Sequence, residues 1–411
     1  MKTNSITTVI ALLFIALSSI AQKEIIIPDF QDISIDDAVD LCKTENKIVV
    51  IEFRGTNTDT LLYNYEKVFT YRKVSDILSN STIMIRYNPE NDKKSKLLKK
   101  YSIFRFPTYV FLDKEKEVRY KISGVMNRED FLNALNYALS DDENMVIWKK
   151  MIDGNEANSN VYFKYTKGLY LGGDDYFEAA AAYFNHSNAD FSKEQNGMEA
   201  VLLFTQDMYD PRFMLLMRNL HSADIQGLDN KFINKRINDI ISNSLIQAVL
   251  TNNKIKLNDT LSSTIETFQI DNPFSLESFT FMKYYSFTKP GSKDYYNAIL
   301  EYLTSSMFEL DEFELYQYIK EIAKNCKDAE INRSATNIIM EMIAKNNKPQ
   351  YQRLLIDLSV NTGDYAEAIH TIDVLEEENE MQTVYSKEEL EALRIQIEKK
   401  QEMDKKEKRE K

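Results

Sequence analysis

The residues best suited to chemistry in this chain are two cysteines and three histidines. Cys42 and Cys326 lie far apart, in segments with different patterns, so we expect two buried thiols rather than a disulfide. His186, His221 and His370 are scattered, and no pair has the four-residue spacing of a helical zinc site. The sequence also has no glycine-rich phosphate loop and no Gly-x-Ser-x-Gly motif. We therefore predict no catalytic residue, no metal and no cofactor.

The most informative stretch of the sequence is Tyr101–Asp113. A basic helical run ends at its start, a short loop presents Pro107, and the apolar segment Thr108–Leu112 follows. Proline is the one residue whose preceding peptide bond is commonly cis, and this loop must turn sharply into the strand. We therefore expect the bond between Phe106 and Pro107 to be cis.

Four segments are predicted to form a sheet that carries this loop. Ile48–Phe53 is almost entirely apolar and β-branched, which is typical of a central strand covered on both faces. In the segment Glu117–Ser123, apolar residues alternate with Arg119 and Lys121, which indicates a strand near the sheet edge with one face in water. The predicted strands are Ile48–Phe53, Thr82–Tyr87, Thr108–Leu112 and Glu117–Ser123.

Helical patterns fill the segments between these strands. Ser34 or Asp36 can cap a helix that runs to about Glu45, and Asn127 can cap a helix that runs to Leu139. The other predicted helices cover residues 59–69, 74–78 and 93–100.

The resulting order of elements, over about residues 30–140, resembles the thioredoxin fold of a secreted thioredoxin-like family. That family has a cis-proline before its fourth strand, where Pro107 stands here. It also has a Cys-x-x-Cys pair at the start of the helix after the first central strand. Glu52–Asn57 matches the end of that strand and the approach loop, and Glu66–Phe69 matches the end of the helix.

Both matches put Thr58, Asp59, Thr60 and Leu61 where the resemblance requires Cys-x-x-Cys. Disulfide exchange needs a thiolate that attacks sulfur, and neither threonine nor leucine can supply one. The resemblance identifies Glu52 with the family's buried acid, which serves the second cysteine. Without that cysteine, we expect Glu52 to be a hydrogen-bonded or partly hydrated carboxylate.

The resemblance also implies a peptide-binding surface. In the family, the residue before the cis-proline offers its backbone to an extended peptide in the manner of a β-strand. An alternative is that the loop is an inherited fold element whose groove is idle or covered by a second domain. The candidate peptide-binding residues are Thr58, Asp59, Thr60, Leu61, Arg105, Phe106 and Pro107.

Beyond the acidic segment Ser140–Asn144, the sequence predicts helices joined by short polar turns. Gly173–Ala180 and Gly363–Ala368 both contain a turn, a tyrosine and small residues on the next helix. These turns resemble those of tetratricopeptide repeats, although no fixed repeat period is visible. We expect an all-α, helical-repeat-like domain after the α/β thioredoxin-like domain.

The start of the chain has the pattern of a secretory signal. Lys2 precedes the apolar run Val9–Leu17, and Ser19-Ile-Ala21 offers small residues at a cleavage site. The run is shorter than the roughly 20 residues that span a bilayer. We therefore expect a soluble protein exported to the periplasm or the extracellular space.

Composition and these boundaries define the predicted organisation. The net charge of −13 argues against nucleic acid as a partner, because binding to phosphates rests on Lys and Arg. We predict a signal peptide at 1–21, a thioredoxin-like domain at 22–140, a helical domain at 141–385 and a charged helix and tail at 386–411.

Three functions are compatible with this organisation. The first is an exported, redox-inactive protein that binds peptides or proteins or acts as a scaffold. The second is a thiol-disulfide oxidoreductase, against which the residues Thr58 and Leu61 speak directly. The third is a helical protein that binds a glycan or another small ligand. The oligomeric state is left open by the sequence.

Overall fold

The computed structural model describes residues 29–55, 58–89, 96–187, 196–220, 229–252, 255–307, 309–379 and 385–410. The chain forms two compact units that divide between Ala200 and Val201. The predicted signal peptide lies outside the described residues. Within the described ranges, no helix combines the length and the apolar character that crossing a membrane requires.

A five-stranded mixed sheet forms the centre of the first unit. Its strands stand in the spatial order β1-β3-β2-β4-β5, with β1 and β2 parallel to β3, and β4 antiparallel to β2 and β5. The four predicted strands are confirmed to within one residue. The first strand was not predicted, because two residues are too short for a pattern. The strands are β1 (Phe30–Gln31), β2 (Ile48–Phe53), β3 (Thr82–Tyr87), β4 (Thr108–Leu112) and β5 (Val118–Ser123).

Helices surround this sheet at the predicted places. Ser34 rather than Asp36 is the first helix's N-cap, and Asn127 is an N-cap as predicted. The single helix predicted over 59–69 is an α-helix followed by the π-helical segment Tyr65–Phe69, two forms that the same apolar spacing fits. The other helices of this unit are α1 (Ile35–Glu45), α2 (Thr58–Asn64), α3 (Arg72–Ser81), α4 (Lys96–Lys100), α5 (Arg128–Leu139), α6 (Met145–Asp153), α7 (Ser159–Gly172) and α8 (Phe177–His186).

The two faces of the sheet have different cores. On one face, α1 packs its residues Ala38, Val39 and Cys42 against aliphatic residues of β2, β3 and β4. The other face is aromatic, with ring centroids 5.0–5.9 Å apart. It consists of Phe69, Tyr109, Phe111 and Phe131, all fully buried.

The first unit continues past the acidic segment 140–144. Helices α6 and α7 both contact β5. Trp148 of α6 is 1% exposed, and its ring lies edge-on to Tyr137 at 4.9 Å. Whether residues 22–140 form a separate folding domain stays a prediction, but these helices pack with the sheet and belong to its compact unit.

Among the described residues of the second unit, all regular secondary structure is helical. Most of these helices contact the next one, and several also contact the next but one, which is the local contact pattern of a helical stack. Helix α9 (Gly197–Phe204) spans the division between the units. The following helices are α10 (Pro211–Asn219), α11 (Asn230–Thr251), α12 (Leu257–Phe268), α13 (Pro273–Thr288), α14 (Lys293–Ser305), α15 (Glu312–Asn325), α16 (Ala329–Lys345), α17 (Pro349–Thr362), α18 (Tyr365–Asn379) and α19 (Lys387–Glu410).

The two similar turns of the sequence share one helix-ending geometry. Gly173 ends α7 with φ 74°, and Gly363 ends α17 with φ 79°. In each turn the next residue, Asp174 or Asp364, donates its backbone N–H back to the preceding helix. This left-handed conformation favours glycine, because other residues have a Cβ that clashes there.

Gly363 offers a clean test of this turn, since an added Cβ would meet no atom within 4 Å. We expect Gly363→Ala to lower the free energy of unfolding by about 1–2 kcal/mol through backbone strain alone. Gly363→Asn is the matched control and should lose less, because asparagine tolerates the left-handed region. Thermal and urea unfolding would measure both, and equal stability of Gly363→Ala and the parent would contradict the assignment.

Candidate functional site

The loop that precedes β4 exposes two aromatic side chains. Phe104 is 78% exposed and Phe106 is 37% exposed, whereas Pro107 is buried. Arg105 between them is exposed as well. The Phe106–Pro107 peptide bond is cis, as expected from the sequence.

The backbone of Phe106 has no hydrogen-bond partner among the described residues. Among the described residues, neither its N–H nor its carbonyl forms a hydrogen bond, although its neighbours are fixed. The Pro107 carbonyl accepts a hydrogen bond from Gly124 at 2.7 Å, and the Thr108 hydroxyl donates to the Arg105 carbonyl at 2.7 Å. Loop residues on both sides of Phe106 are therefore held while its own polar groups remain available.

The Phe106 ring is placed by a close approach to the end of β2. A Cβ added to Gly55 would lie 2.6 Å from the Cβ of Phe106, which is closer than real Cβ contacts come. Glycine at this position therefore lets the Phe106 side chain lie against the backbone. The loop before β4 therefore packs against Gly55, which follows β2.

The first turn of α2 supplies the other predicted site residues. Thr58 is exposed, and Asp59 and Thr60 are half-buried. Leu61 is only 3% exposed and belongs to the core, so its side chain is not presented at this surface. The structure thus brings Thr58 to the surface and leaves Leu61 and Pro107 as buried supports.

The carboxylate of Glu52, on β2, is fully buried. Its partners come from strand register, because Glu52 stands opposite Arg86 on β3 and opposite Tyr109 on β4. Arg86 Nε donates to Glu52 Oε1 at 2.8 Å, and the Tyr109 hydroxyl donates to Oε2 at 3.0 Å. The Tyr65 hydroxyl also donates to Oε2, at 2.5 Å. The expectation of a hydrogen-bonded carboxylate is confirmed.

The Glu52 carboxylate shifts the pKa values of its three hydrogen-bond partners. Burial, together with the nearby Glu52 charge, raises the pKa values of Tyr65 and Tyr109, so both phenols stay neutral donors. Burial works to lower the pKa of Arg86, but its hydrogen bond and attraction to Glu52, together with its contacts to Tyr65, outweigh this and raise the pKa. The guanidinium also lies 4.0 Å from the centroid of the Phe30 ring, which covers it.

A second buried charge connects β5 with the turn after α7. Lys121 is 6% exposed, so the prediction of a water-facing side for this strand is wrong at this position. Its ammonium donates to Asp174 Oδ1 at 2.5 Å and to the carbonyls of Tyr101 and Ser102 at 3.0 and 3.1 Å. The alternation of β5 predicted the strand correctly, but it could not show that a distant turn supplies an acid and covers the lysine.

The same turn also contacts the end of β5 near the loop. The Ser123 hydroxyl donates to the Gly172 carbonyl at 2.6 Å and lies 2.9 Å from the hydroxyl oxygen of Thr108. The region around Gly172 is tight, because an added Cβ would lie 3.1 Å from the Lys121 side chain. Partial burial raises the pKa of Asp174 despite the attraction of Lys121.

Both cysteines are free and buried. The Cys42 thiol lies on α1 and donates to the Lys47 carbonyl. Burial raises the pKa of Cys42 and of Cys326, which disfavours the reactive thiolate. In the part of the chain that the structure describes, no cluster of three or more His, Cys, Asp or Glu is arranged to hold a metal ion.

Comparison with known proteins gives no further assignment. No protein-family model matches the chain, and no curated protein is significantly similar to it. The chemistry of the site therefore rests on the geometry described above.

The Glu52 network predicts a strong effect of removing its cation. Arg86→Met leaves a buried carboxylate without its charged partner, and we expect the free energy of unfolding to fall by about 3 kcal/mol. Adding Glu52→Gln to that variant should recover part of the loss, because a neutral amide has no charge to compensate. Urea unfolding of both variants measures this, and a loss below about 1 kcal/mol in Arg86→Met would contradict the network.

Thiol accessibility tests the placement of the cysteines. The native chain should show no rapid reaction with Ellman's reagent, because both thiols are buried and their pKa values are raised. After denaturation without reductant, both should react. A fast-reacting thiol in the native chain that disappears in Cys42→Ser would show that the first unit presents a usable nucleophile.

Proposed function

We propose that this chain is an exported, redox-inactive protein of the thioredoxin fold that binds extended segments of other proteins at the loop Phe104–Pro107. The observation that carries the proposal is the open backbone of Phe106 between two exposed aromatic side chains. An extended peptide gains main-chain hydrogen bonds from such a position and side-chain specificity from the neighbouring aromatic surface.

The arrangement of the first unit supports the thioredoxin assignment. The order of strands and helices along the chain, including the helix after β2 and the loop before β4, follows the order that the sequence resemblance implies. In this arrangement the loop before β4 packs against the chain that follows β2, through the contact of Phe106 with Gly55.

The residues at the cysteine positions support a binding role rather than electron transfer. The side chain of Thr58 is exposed, but it has a hydroxyl group and cannot form a thiolate. Leu61 is part of the core. Cys42 is buried on α1, and its raised pKa keeps it as a thiol. Glu52, which would handle a proton beside a resolving cysteine, has Arg86 and two tyrosines as partners instead.

The helical unit fits a scaffolding role. Stacks of helices with local contacts offer extended surfaces to protein partners. Two phenylalanine side chains on α13, Phe274 and Phe287, are 72% and 65% exposed, although phenylalanine is usually buried. This unit would add a second contact area to the peptide surface of the first.

Peptide binding tests the proposal directly on the full chain. Fluorescence anisotropy would be measured with a set of labelled, unstructured peptides that vary in apolar content. We expect extended apolar peptides to bind saturably. Phe106→Asp should weaken them about tenfold or more, because it places a charge where the aromatic contact forms.

Matched variants separate this surface from others. Phe232→Asp replaces an equally accessible phenylalanine in the other unit, 38% exposed, and should leave the affinity unchanged. Gly55→Ala should weaken binding as well, since its methyl group displaces the Phe106 side chain. Peptide affinity that is unchanged in both Phe106→Asp and Gly55→Ala would remove this loop as the site.

A further inference from the structure

The chain that leads into the candidate peptide loop is strongly basic. Residues 93–105 contain six Lys or Arg and no Asp or Glu, although the net charge of the whole chain is −13. Three of these cations lie on α4, and Arg105 lies in the loop between the exposed Phe104 and Phe106. We call the exposed cations among the described residues the basic strip: Lys96, Lys99, Lys100 and Arg105.

The charges of the basic strip are not used within the unit. Among the described residues, none of its four cations has a carboxylate within ion-pair distance. Other lysines of the unit are paired, Lys116 with Asp36 and Lys121 with Asp174. The pKa of Asp36 is lowered mainly by its hydrogen bond to Lys116 and only in part by the more distant Lys100. The strip is therefore a local surplus of positive charge on an acidic protein.

The basic strip is held close to the loop. The carbonyls of Tyr101 and Ser102, which link α4 to the loop, accept hydrogen bonds from the Lys121 ammonium at 3.0 and 3.1 Å. The Lys100 ammonium lies 4.9 Å from the centroid of the Tyr101 ring. Lys100 and Phe104 are four positions apart in the chain, so their Cα atoms lie no more than about 14 Å apart. An extended peptide of about five residues is long enough to reach both.

Arg105 places one positive charge in the loop itself. Its Cδ lies 3.6 Å from the point where a Cβ on Gly173 would stand, so the aliphatic part of its side chain packs on the turn after α7. In that turn Asp174 is paired with Lys121, and Asp175 accepts the backbone N–H of Phe177. A packed stem with an exposed guanidinium keeps the charge available, and a guanidinium binds a carboxylate through two parallel hydrogen bonds.

From this arrangement we infer that the loop selects extended segments that carry Asp or Glu near an apolar residue. The inference rests on the proposed peptide-binding function and adds the charge of the partner. The backbone and ring of Phe106 contact the apolar part of the segment, and the basic strip contacts carboxylates on its neighbouring residues. Complementary charge distinguishes partners and speeds their encounter. A segment with Lys or Arg in those places meets like charge and is disfavoured.

An anionic membrane carries the same charge as an acidic segment but matches this surface less well. Phe106 offers a backbone donor and acceptor on one residue, which is what β-type pairing with another main chain uses. The net charge of −13 also disfavours the approach of the whole chain to an anionic surface. These observations favour a peptide as the partner.

Three labelled peptides test the inference on the full chain by fluorescence anisotropy. They share one length and one central apolar sequence and differ only in the flanking residues, which are Glu, Gln or Lys. In about 50 mM salt we expect the Glu peptide to bind about threefold or more tightly than the Gln peptide, and the Lys peptide to bind most weakly. In about 1 M salt the differences should disappear, because the Debye length falls to about 3 Å.

Matched variants locate the charge preference. Lys96→Gln, Lys99→Gln and Lys100→Gln combined should weaken the Glu peptide about threefold or more and leave the Gln peptide unchanged. Arg105→Gln should act in the same direction. The control changes three exposed lysines of α19 to Gln and should leave all three affinities unchanged; these are Lys399, Lys400 and Lys405.

The outcomes separate this inference from the proposed function. Equal affinities for the three peptides, or a Glu preference that survives removal of all four cations of the basic strip, would overturn the charge selection and leave peptide binding at Phe106 in place. Absence of binding by every peptide would overturn the peptide site and the inference with it. Sedimentation with vesicles that contain phosphatidylserine addresses the other class of partner. Vesicle binding that the triple lysine variant loses, without a preference for the Glu peptide, would assign the basic strip to a membrane instead.

Discussion

The buried carboxylate of Glu52 is the constraint on which the sheet depends. A charge without solvent is tolerated only where hydrogen bonds and an opposite charge surround it, and here these come from β3, β4 and the π-helical segment. A slip of β3 or β4 by one residue would turn Arg86 or Tyr109 to the other face and remove one of the three partners of Glu52. The network therefore specifies the register of β4, the strand that Phe106 precedes.

A second charge pair has the same role at the sheet's other side. Lys121 joins β5, the end of α4 and the turn after α7 through contacts with Tyr101, Ser102 and Asp174. Both pairs bring together elements that are far apart in sequence, so each is satisfied only when the whole unit has formed. In the loop Phe104–Pro107, only the backbone of Phe106 can stay unpaired while its neighbours are held, because the carbonyls of Arg105 and Pro107 accept hydrogen bonds from Thr108 and Gly124.

The sequence predicted the local structure of this unit well and its long-range contacts less well. Ile48–Phe53 and Thr108–Leu112 have periods and compositions that only a covered strand explains, and Ser34 and Asn127 are strong caps. Lys121 was misjudged because its burial depends on Asp174, which a local pattern cannot reveal.

The cover over β5 has a consequence for how the chain avoids self-association. An edge strand presents unpaired backbone groups that another chain can extend, and proteins protect such edges with charges or with a covering helix. Here α7 and the Gly172–Asp174 turn lie along β5, and an inward-pointing lysine reinforces the protection. A chain that ended at Ser140 would lose this cover and expose the strand together with the aromatic surface that Trp148 now fills. The helices after the segment 140–144 thus protect the β5 edge of the sheet from edge-to-edge aggregation.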